Sequence, residues 1–333
     1  MPVARWRVDL HADPITVHTW FPLAGLTLLE QAGEVELHFV ERALPTERSM
    51  WLEVDDRESG TRAAVSLDLV DAAELAAPQR AASADVTFKR SHRPGGYPGT
   101  PRVAPYGIQL ACRAGGERFC VYARRLLRRR FALRPLASAW RTRPPLVSDY
   151  EARPARRGRR VVYQVRAWDP RDGRDAADRT RRNDERAALI RVLREHLGDA
   201  FVGGFVDTGF ARTTYPDCVA TGPSDFRSYL RLIQGCDIGV STEGLQGSNP
   251  YKIAEYLAGA HAIVSSPLRY DVPDGPPPMV TFSTPQDAAQ ACARLLEDPA
   301  AMQAASAAAW DTSYRPDVLL RRRLVDLPSV LAG

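Results

Sequence analysis

Between residues 160 and 299, short apolar runs alternate with longer runs of helical period, and this alternation limits the fold more than any other feature of the chain. RVVYQVRAW (160–168), AFVGGF (200–205), DIGVST (237–242) and HAIVSS (261–266) are short, largely continuous apolar runs of the kind buried strands show. NDERAALIRVLREHLG (183–198), DFRSYLRLIQGC (225–236), NPYKIAEYLAG (249–259) and TPQDAAQACARLLEDP (284–299) read as the helices among them, with Asn183 as a cap and Gly198 as a C-terminal stop. Strands separated by helices cannot pair through tight turns. They line up parallel, with right-handed crossovers and helices on both faces. Residues 1–115 repeat this in a looser form. There VELHFV (35–40), AAVSLDLV (63–70) and ADVTFKR (84–90) read as strands, and PLAGLTLLEQAG (22–33) as a helix opened by Pro22 and closed by Gly33.

With 333 residues, 44% of them hydrophobic, the chain can bury two cores. Its net charge of +5 is unevenly spread: thirteen arginines lie between Arg124 and Arg160, against Asp149 and Glu151. The domain boundary is placed there, giving a first domain at 1–135, a basic Pro/Arg-rich linker at 136–160, a second domain at 161–305 and a helical tail at 306–333. FCVYARRLLRRRFALRPLASAW spaces Phe119, Tyr122, Leu126, Leu127 and Phe131 among arginines. Either an interdomain helix or a peripheral contact with an anionic membrane through 119–140 fits that pattern. No nucleic-acid-binding module accompanies the arginines, so nucleic acid is not an expected partner. No apolar run approaches the roughly 20 residues of a membrane span. The N-terminus lacks a signal-peptide core, and a cytoplasmic location is expected.

Familiar chemical signatures are missing. There is no GxGxxG, no GxxxxGK[ST], no GxSxG, no HExxH and no DxD pair. The five cysteines (Cys112, Cys120, Cys218, Cys236, Cys292) are odd in number and scattered, with no CxxC. Neither a metal nor a cofactor is expected.

The stretch that carries chemistry is DIGVSTEGLQGSNPYKIAEYLAGAHAIVSS (237–266), a strand, a Gly-rich loop, a helix and a buried strand. In an open parallel sheet, ligands bind beyond the carboxyl ends of the strands. The loop Glu243–Asn249 stands at such an edge, where Gly244, Gly247, Ser248 and Asn249 permit close backbone approach and the next helix offers free N–H groups to a phosphate. At 100° per residue Lys252 and Glu255 share a face. One can reach an anion, and the other can accept hydroxyl hydrogen bonds such as a ribose supplies. An ordinary surface ion pair would also explain the spacing. Lysine is the rarer choice here, since the chain has only Lys89 and Lys252 among its 45 lysines and arginines.

PYKIAEYLA followed by an apolar strand resembles the donor-binding signature of group 1 glycosyltransferases of GT-B architecture, where the helix commonly reads P-x-K-x-x-E-Y-x-A. The resemblance covers roughly 160–300. It implies an α/β fold of two facing Rossmann-like domains with parallel sheets and an interdomain cleft, the acceptor on the first domain, the nucleotide-sugar on the second, and 306–333 crossing back to the first. It implies Glu255 on the donor ribose, with Ser248, Asn249 and Lys252 at the phosphates; Glu243 and Gly247, on the same loop, count among the donor-binding candidates, Glu243 out of register with the family pattern. In YQVRAWDP (163–170), Arg166 matches an arginine that touches the diphosphate in that family. Many retaining members carry a glutamate eight positions before the ribose-binding one, where Gly247 stands here. After the helix, Gly259–Ala262 replaces the usual small-residue-then-proline sequence.

On the first domain, Asp13 and His18 in HADPITVHTWFP occupy what such an architecture makes the cleft-facing loop, where either would deprotonate an acceptor hydroxyl. Lys89 and Arg90, ending ADVTFKR, would meet phosphate or an acidic acceptor; a solvated strand end explains them equally. The expected activity is metal-independent transfer of a sugar from a nucleoside-diphosphate donor to a hydroxyl acceptor. The alternatives are another activity of that architecture, such as nucleotide-sugar epimerisation, or a non-catalytic sugar-nucleotide- or polysaccharide-binding partner.

Overall fold

The structure is a computed structural model, and it describes residues 3–12, 18–40, 49–100, 102–116, 144–153, 157–173, 175–222, 225–273 and 275–332. Asp13, Cys120 and the 119–140 segment with its expected membrane contact lie outside these residues. The chain forms two compact units, one comprising Met1–Ser148, Tyr270–Asp274 and Ser313–Gly333, the other Asp149–Arg269 and Gly275–Thr312. Among the described residues no helix is long and apolar enough to cross a membrane.

The first unit is built on a six-stranded sheet. Its strands are β1 (Trp6–Ala12), β2 (Val35–Val40), β3 (Ser49–Asp56), β4 (Thr61–Asp68), β5 (Val86–Lys89) and β6 (Val103–Pro105), in the order β2-β1-β3-β4-β5-β6. Helix α1 (Trp20–Gln31) connects β1 to its parallel neighbour β2 and buries Phe21, Leu23, Leu26 and Leu29. It packs on the helix Pro316–Val325 so closely that a Cβ at Gly25 would lie 2.5 Å from the carbonyl oxygen of Pro316. The looser N-terminal pattern does conceal one departure from an all-parallel sheet: β3 runs antiparallel to both β1 and β4. The cause is the four-residue connection between β3 and β4, closed by Gly60 at φ +71°. So short a link permits a hairpin, whereas a parallel neighbour needs a crossover of a dozen residues or more.

The second unit holds a fully parallel five-stranded sheet, as the alternation predicts. Its strands are β7 (Val161–Val165), β8 (Phe201–Phe205), β9 (Ile238–Ser241), β10 (Ala262–Ser265) and β11 (Val280–Thr281), in the order β11-β10-β9-β7-β8. All five residues of β7 are buried. The helices used below are α2 (Ala176–Leu197), α3 (Phe226–Gln234), α4 (Tyr251–Ala258) and α5 (Pro285–Glu297). One core joins Val161, Tyr163 and Val165 of β7 to Ala187, Ile190 and Leu193 of α2 and Ala288, Ala291 and Cys292 of α5.

Helix α2 begins seven residues before Asn183, because Ala176–Arg182 contains nothing that breaks a helix and Asp178 favours its first turn. Asn183 therefore caps nothing. It is fully buried within the helix, and its amide grips the backbone of Trp168, accepting from Trp168 N at 3.0 Å and donating to Trp168 O at 2.8 Å.

Candidate functional site

The β9–loop–α4 passage is shaped by a glycine. A Cβ at Gly239 would lie 2.4 Å from Cγ of Tyr256, so only glycine lets that ring lie against β9. The Tyr256 hydroxyl then donates to Val240 O at 3.2 Å, fixing α4 on the strand. At its far end, α4 is closed by Arg157, whose guanidinium donates to Ala260 O at 2.9 Å and also to Gly259 O. A cation there complements the negative end of the helix dipole.

The loop between β9 and α4 is held from within and from α2. Gly244 N donates to Ser248 O at 2.8 Å, and Ser248 N to Leu245 O at 3.1 Å. Gln246 adopts φ 58°, and its backbone N–H and side-chain amide donate to Asp178 at 2.9 Å and Asp175 at 3.0 Å, both near the start of α2. Gly247 has φ +72°, and a Cβ on it would stand 2.6 Å from Cδ of Arg269. The place where a carboxylate side chain would project at 247 is thus taken by an arginine. Ser248 and Asn249 are buried.

One arginine of α2 ties this loop to the one that follows β7, and a second holds the loop to α2 itself. Arg186, 6% exposed, donates to Arg166 O at 2.9 Å, Glu243 O at 3.0 Å and Thr242 Oγ1 at 3.3 Å, and lies 3.9 Å from the centre of the Trp168 ring. Among the described residues it has no carboxylate in ion-pair contact. Burial pushes its pKa down from the usual arginine value, yet a guanidinium stays charged. Arg182 pairs with the carboxylate of Glu243 and, at 3.1 Å, with Glu185. Glu243, a donor-binding candidate, thus spends its carboxylate on Arg182. Arg166 is exposed, and its side chain makes no hydrogen bond or ion pair among the described residues.

Lys252 and Glu255 do share a face, but they meet through a third residue. Lys252 Nζ donates to the hydroxyl of Tyr229 at 2.7 Å, and that hydroxyl donates to Glu255 Oε2 at 2.5 Å. The direct approach of Nζ to Oε2 is 3.6 Å, with the two side chains 19% and 12% exposed. Burial lowers the Lys252 pKa and the Glu255 carboxylate works against that shift. Burial foremost, with the nearby carboxylate, raises the Tyr229 phenol well above its usual value. The pair is therefore not a solvated surface bridge. It is a half-buried cation and anion at the start of a helix, beyond the carboxyl end of β9.

The first-unit candidates have different surroundings. Lys89 is fully buried and pairs with Asp68 at 3.0 Å, its partner across the β4–β5 register, while donating to Val70 O at 3.3 Å. Arg90, 4% exposed, pairs with Asp71. Neither is a solvated strand end, and neither cation faces solvent. His18 is buried in the turn that leads into α1.

Sequence reasoning passed over Tyr229, Arg186, Arg182 and Arg269. The i,i+4 spacing of Arg182 and Arg186 is a readable signal of a basic face, but it is lost among the other arginines of α2. Nothing marks Tyr229 or Arg269, because each comes into place by packing across a separate element.

No protein-family model matches the chain, and no curated protein matches it. Among solved structures it is similar to AviGT4, a glycosyltransferase involved in avilamycin A biosynthesis, with a TM-score of 0.45 and 12% identity over 96% of this chain and 91% of that one. It is also similar to the C-terminal domain of LpcC, a group 1 family glycosyl transferase from Francisella tularensis, with a TM-score of 0.31 and 8% identity over 49% and 84% of the two chains. A third likeness is to the GtfA/B complex, at a TM-score of 0.30 and 12% identity over 54% and 38%. All three likenesses are loose.

Proposed function

We propose that this chain moves a sugar from a nucleoside-diphosphate donor to a hydroxyl acceptor. The observation that carries this reading is the half-buried Lys252–Tyr229–Glu255 chain, at a helix start beyond the carboxyl end of a parallel strand. There an ammonium suits a phosphate and a carboxylate suits sugar hydroxyls. As the donor bond breaks, charge accumulates on the leaving diphosphate while the sugar becomes oxocarbenium-like. Lys252 and the free guanidinium of Arg166 would stabilise that charge, with Arg186 holding both loops. These cations take the place of a bound metal, so turnover should persist in EDTA. His18 and Asp13 are the proposed bases for the acceptor hydroxyl, and the acceptor is a glycan, a lipid-linked glycan or a small molecule.

A binding-only role is the second reading. It is favoured by Gly247, where Arg269 fills the space a carboxylate would need. The test is a thermal-shift screen against UDP, GDP, ADP, CMP and dTDP, followed by turnover of the matching nucleotide-sugars. A melting temperature raised by at least one nucleotide, with turnover lost in Glu255→Ala, supports the transferase. Binding without turnover in the wild type supports the second reading. If no nucleotide raises the melting temperature, both fail.

A further inference from the structure

Tyr229 reaches the site from α3, whereas Lys252 and Glu255 both come from α4. A phenol carries one proton and donates once. With an ammonium donating on one side, the direction is set: Lys252 to Tyr229 to Glu255 Oε2, at 2.7 and 2.5 Å. The ammonium also lies 4.2 Å from the centre of the Tyr229 ring, so ring and hydroxyl hold it together. Glu255 makes no other side-chain hydrogen bond among the described residues, and its side chain keeps 12% of its exposure. One carboxylate oxygen is occupied and the other is left to accept.

We infer that Tyr229 is a positioning residue for hydroxyl recognition: by taking Oε2 it presents Oε1 of Glu255 to a ligand hydroxyl in a single orientation, and it makes Lys252 and Glu255 act as one unit. This rests on the donor-site reading above, and it adds what that reading lacks, a reason for the carboxylate to discriminate between ribose and deoxyribose. Without the phenolic hydroxyl, Lys252 is free to close the 3.6 Å gap to Glu255 and compete with the ligand for the carboxylate.

The variant Tyr229→Phe removes the hydroxyl and keeps the ring. The measurement is calorimetric titration of UDP, GDP and ADP and of their 2′,3′-dideoxy counterparts, into wild type, Tyr229→Phe, Glu255→Gln and the double variant. For the nucleotide that binds wild type most tightly, Tyr229→Phe should weaken the ribonucleotide about tenfold, the loss of one charge-assisted hydrogen bond. The dideoxy form should change by less than about twofold, since it has no hydroxyl to lose. The double variant should lose no more discrimination than Glu255→Gln alone, because the two residues act in series. Equal weakening of both nucleotide forms makes Tyr229 merely structural and overturns the inference, as does additive loss in the double variant. A wild type that binds the nucleotides without preferring the ribo form overturns it while leaving the donor reading intact. A wild type that binds none of them removes the donor reading itself. Should Tyr229→Phe fail to fold, the ribo preference of wild type against Glu255→Gln still decides whether the carboxylate reads hydroxyls.

Discussion

Replacing Arg186 with methionine removes a charge from the interior of the second unit while keeping much of the side-chain length. The carbonyls of Arg166 and Glu243 lose their guanidinium donors at 2.9 and 3.0 Å. Each of these part-buried acceptors left without a partner costs about 1–3 kcal/mol, and loss of the stack on Trp168 adds about 0.5–2 kcal/mol. Against this stands relief from burying a cation with no carboxylate in ion-pair contact, worth several kcal/mol in the stabilising direction. The balance is a net loss of about 2 kcal/mol, or about 4–8 °C in the melting transition of a unit this size. Arg186→Lys keeps the charge but not the three-way reach, and should fall between the two. Nucleotide affinity should drop further than stability does, because Arg166 and Glu243 sit on the two loops that the guanidinium joins. Calorimetry with nucleotide titration checks both effects. A methionine variant as stable as wild type would refute the reasoning, since the buried charge would then be a net cost rather than a clip.

Other changes give sharper contrasts. Gly247→Glu, which restores the residue type expected from the family resemblance, should destabilise by about 1 kcal/mol or more, because φ is +72° and the new side chain meets Arg269; denaturant titration checks this, and no gain in turnover is expected. Lys89→Met leaves the Asp68 carboxylate buried without its cation and should cost about 3 kcal/mol. A loss of turnover at unchanged stability would instead return Lys89 to an acceptor-binding role. His261 is fully buried between Ile233 O at 2.7 Å and Tyr256 O at 3.2 Å, and burial foremost, with Arg157 adding to it, holds its pKa down at about 4. In the unfolded chain it takes up its proton at about 6.5. Stability is therefore full above that value and falls as pH drops toward 4, by up to about 3 kcal/mol. Denaturation curves between pH 7 and 4.5 should be flatter in His261→Gln, and equal slopes would count against the assignment.

The second sheet is legible in the sequence because its strands are buried on both faces and its crossovers are helical, so each element carries its own pattern. Lys252 and Glu255 are legible for the same local reason, being one turn apart on one helix. Most of what escaped depends on partners set apart along the chain, and one feature on a loop too short to read. The reversal of β3 follows from a short loop whose flanking strands look alike whichever way they run. The burial of Lys89 follows from the β4–β5 register, which sets it opposite Asp68. Asn183 looks like a cap until the helix is seen to begin at Ala176, when its amide turns out to serve the backbone of Trp168. Tyr229 is 23 residues from Lys252, and only the packing of α3 beside α4 brings its hydroxyl there.

The hairpin that reverses β3 also decides where the first sheet meets water. A parallel neighbour would have arrived by way of a helix, and that helix would have roofed one face of the sheet. A four-residue turn roofs nothing. The uncovered stretch carries Arg7, Asp9, Glu53, Asp55 and Arg62 around a groove of about 430 Å³. Charges there are half or fully exposed, in contrast to the apolar residues that β1 and β3 send to the other face. Substitutions at such positions usually shift stability by less than about 0.5 kcal/mol. This face is therefore the place to attach a fluorophore or a surface tether when the proposed binding of a nucleotide to the second unit is to be tested.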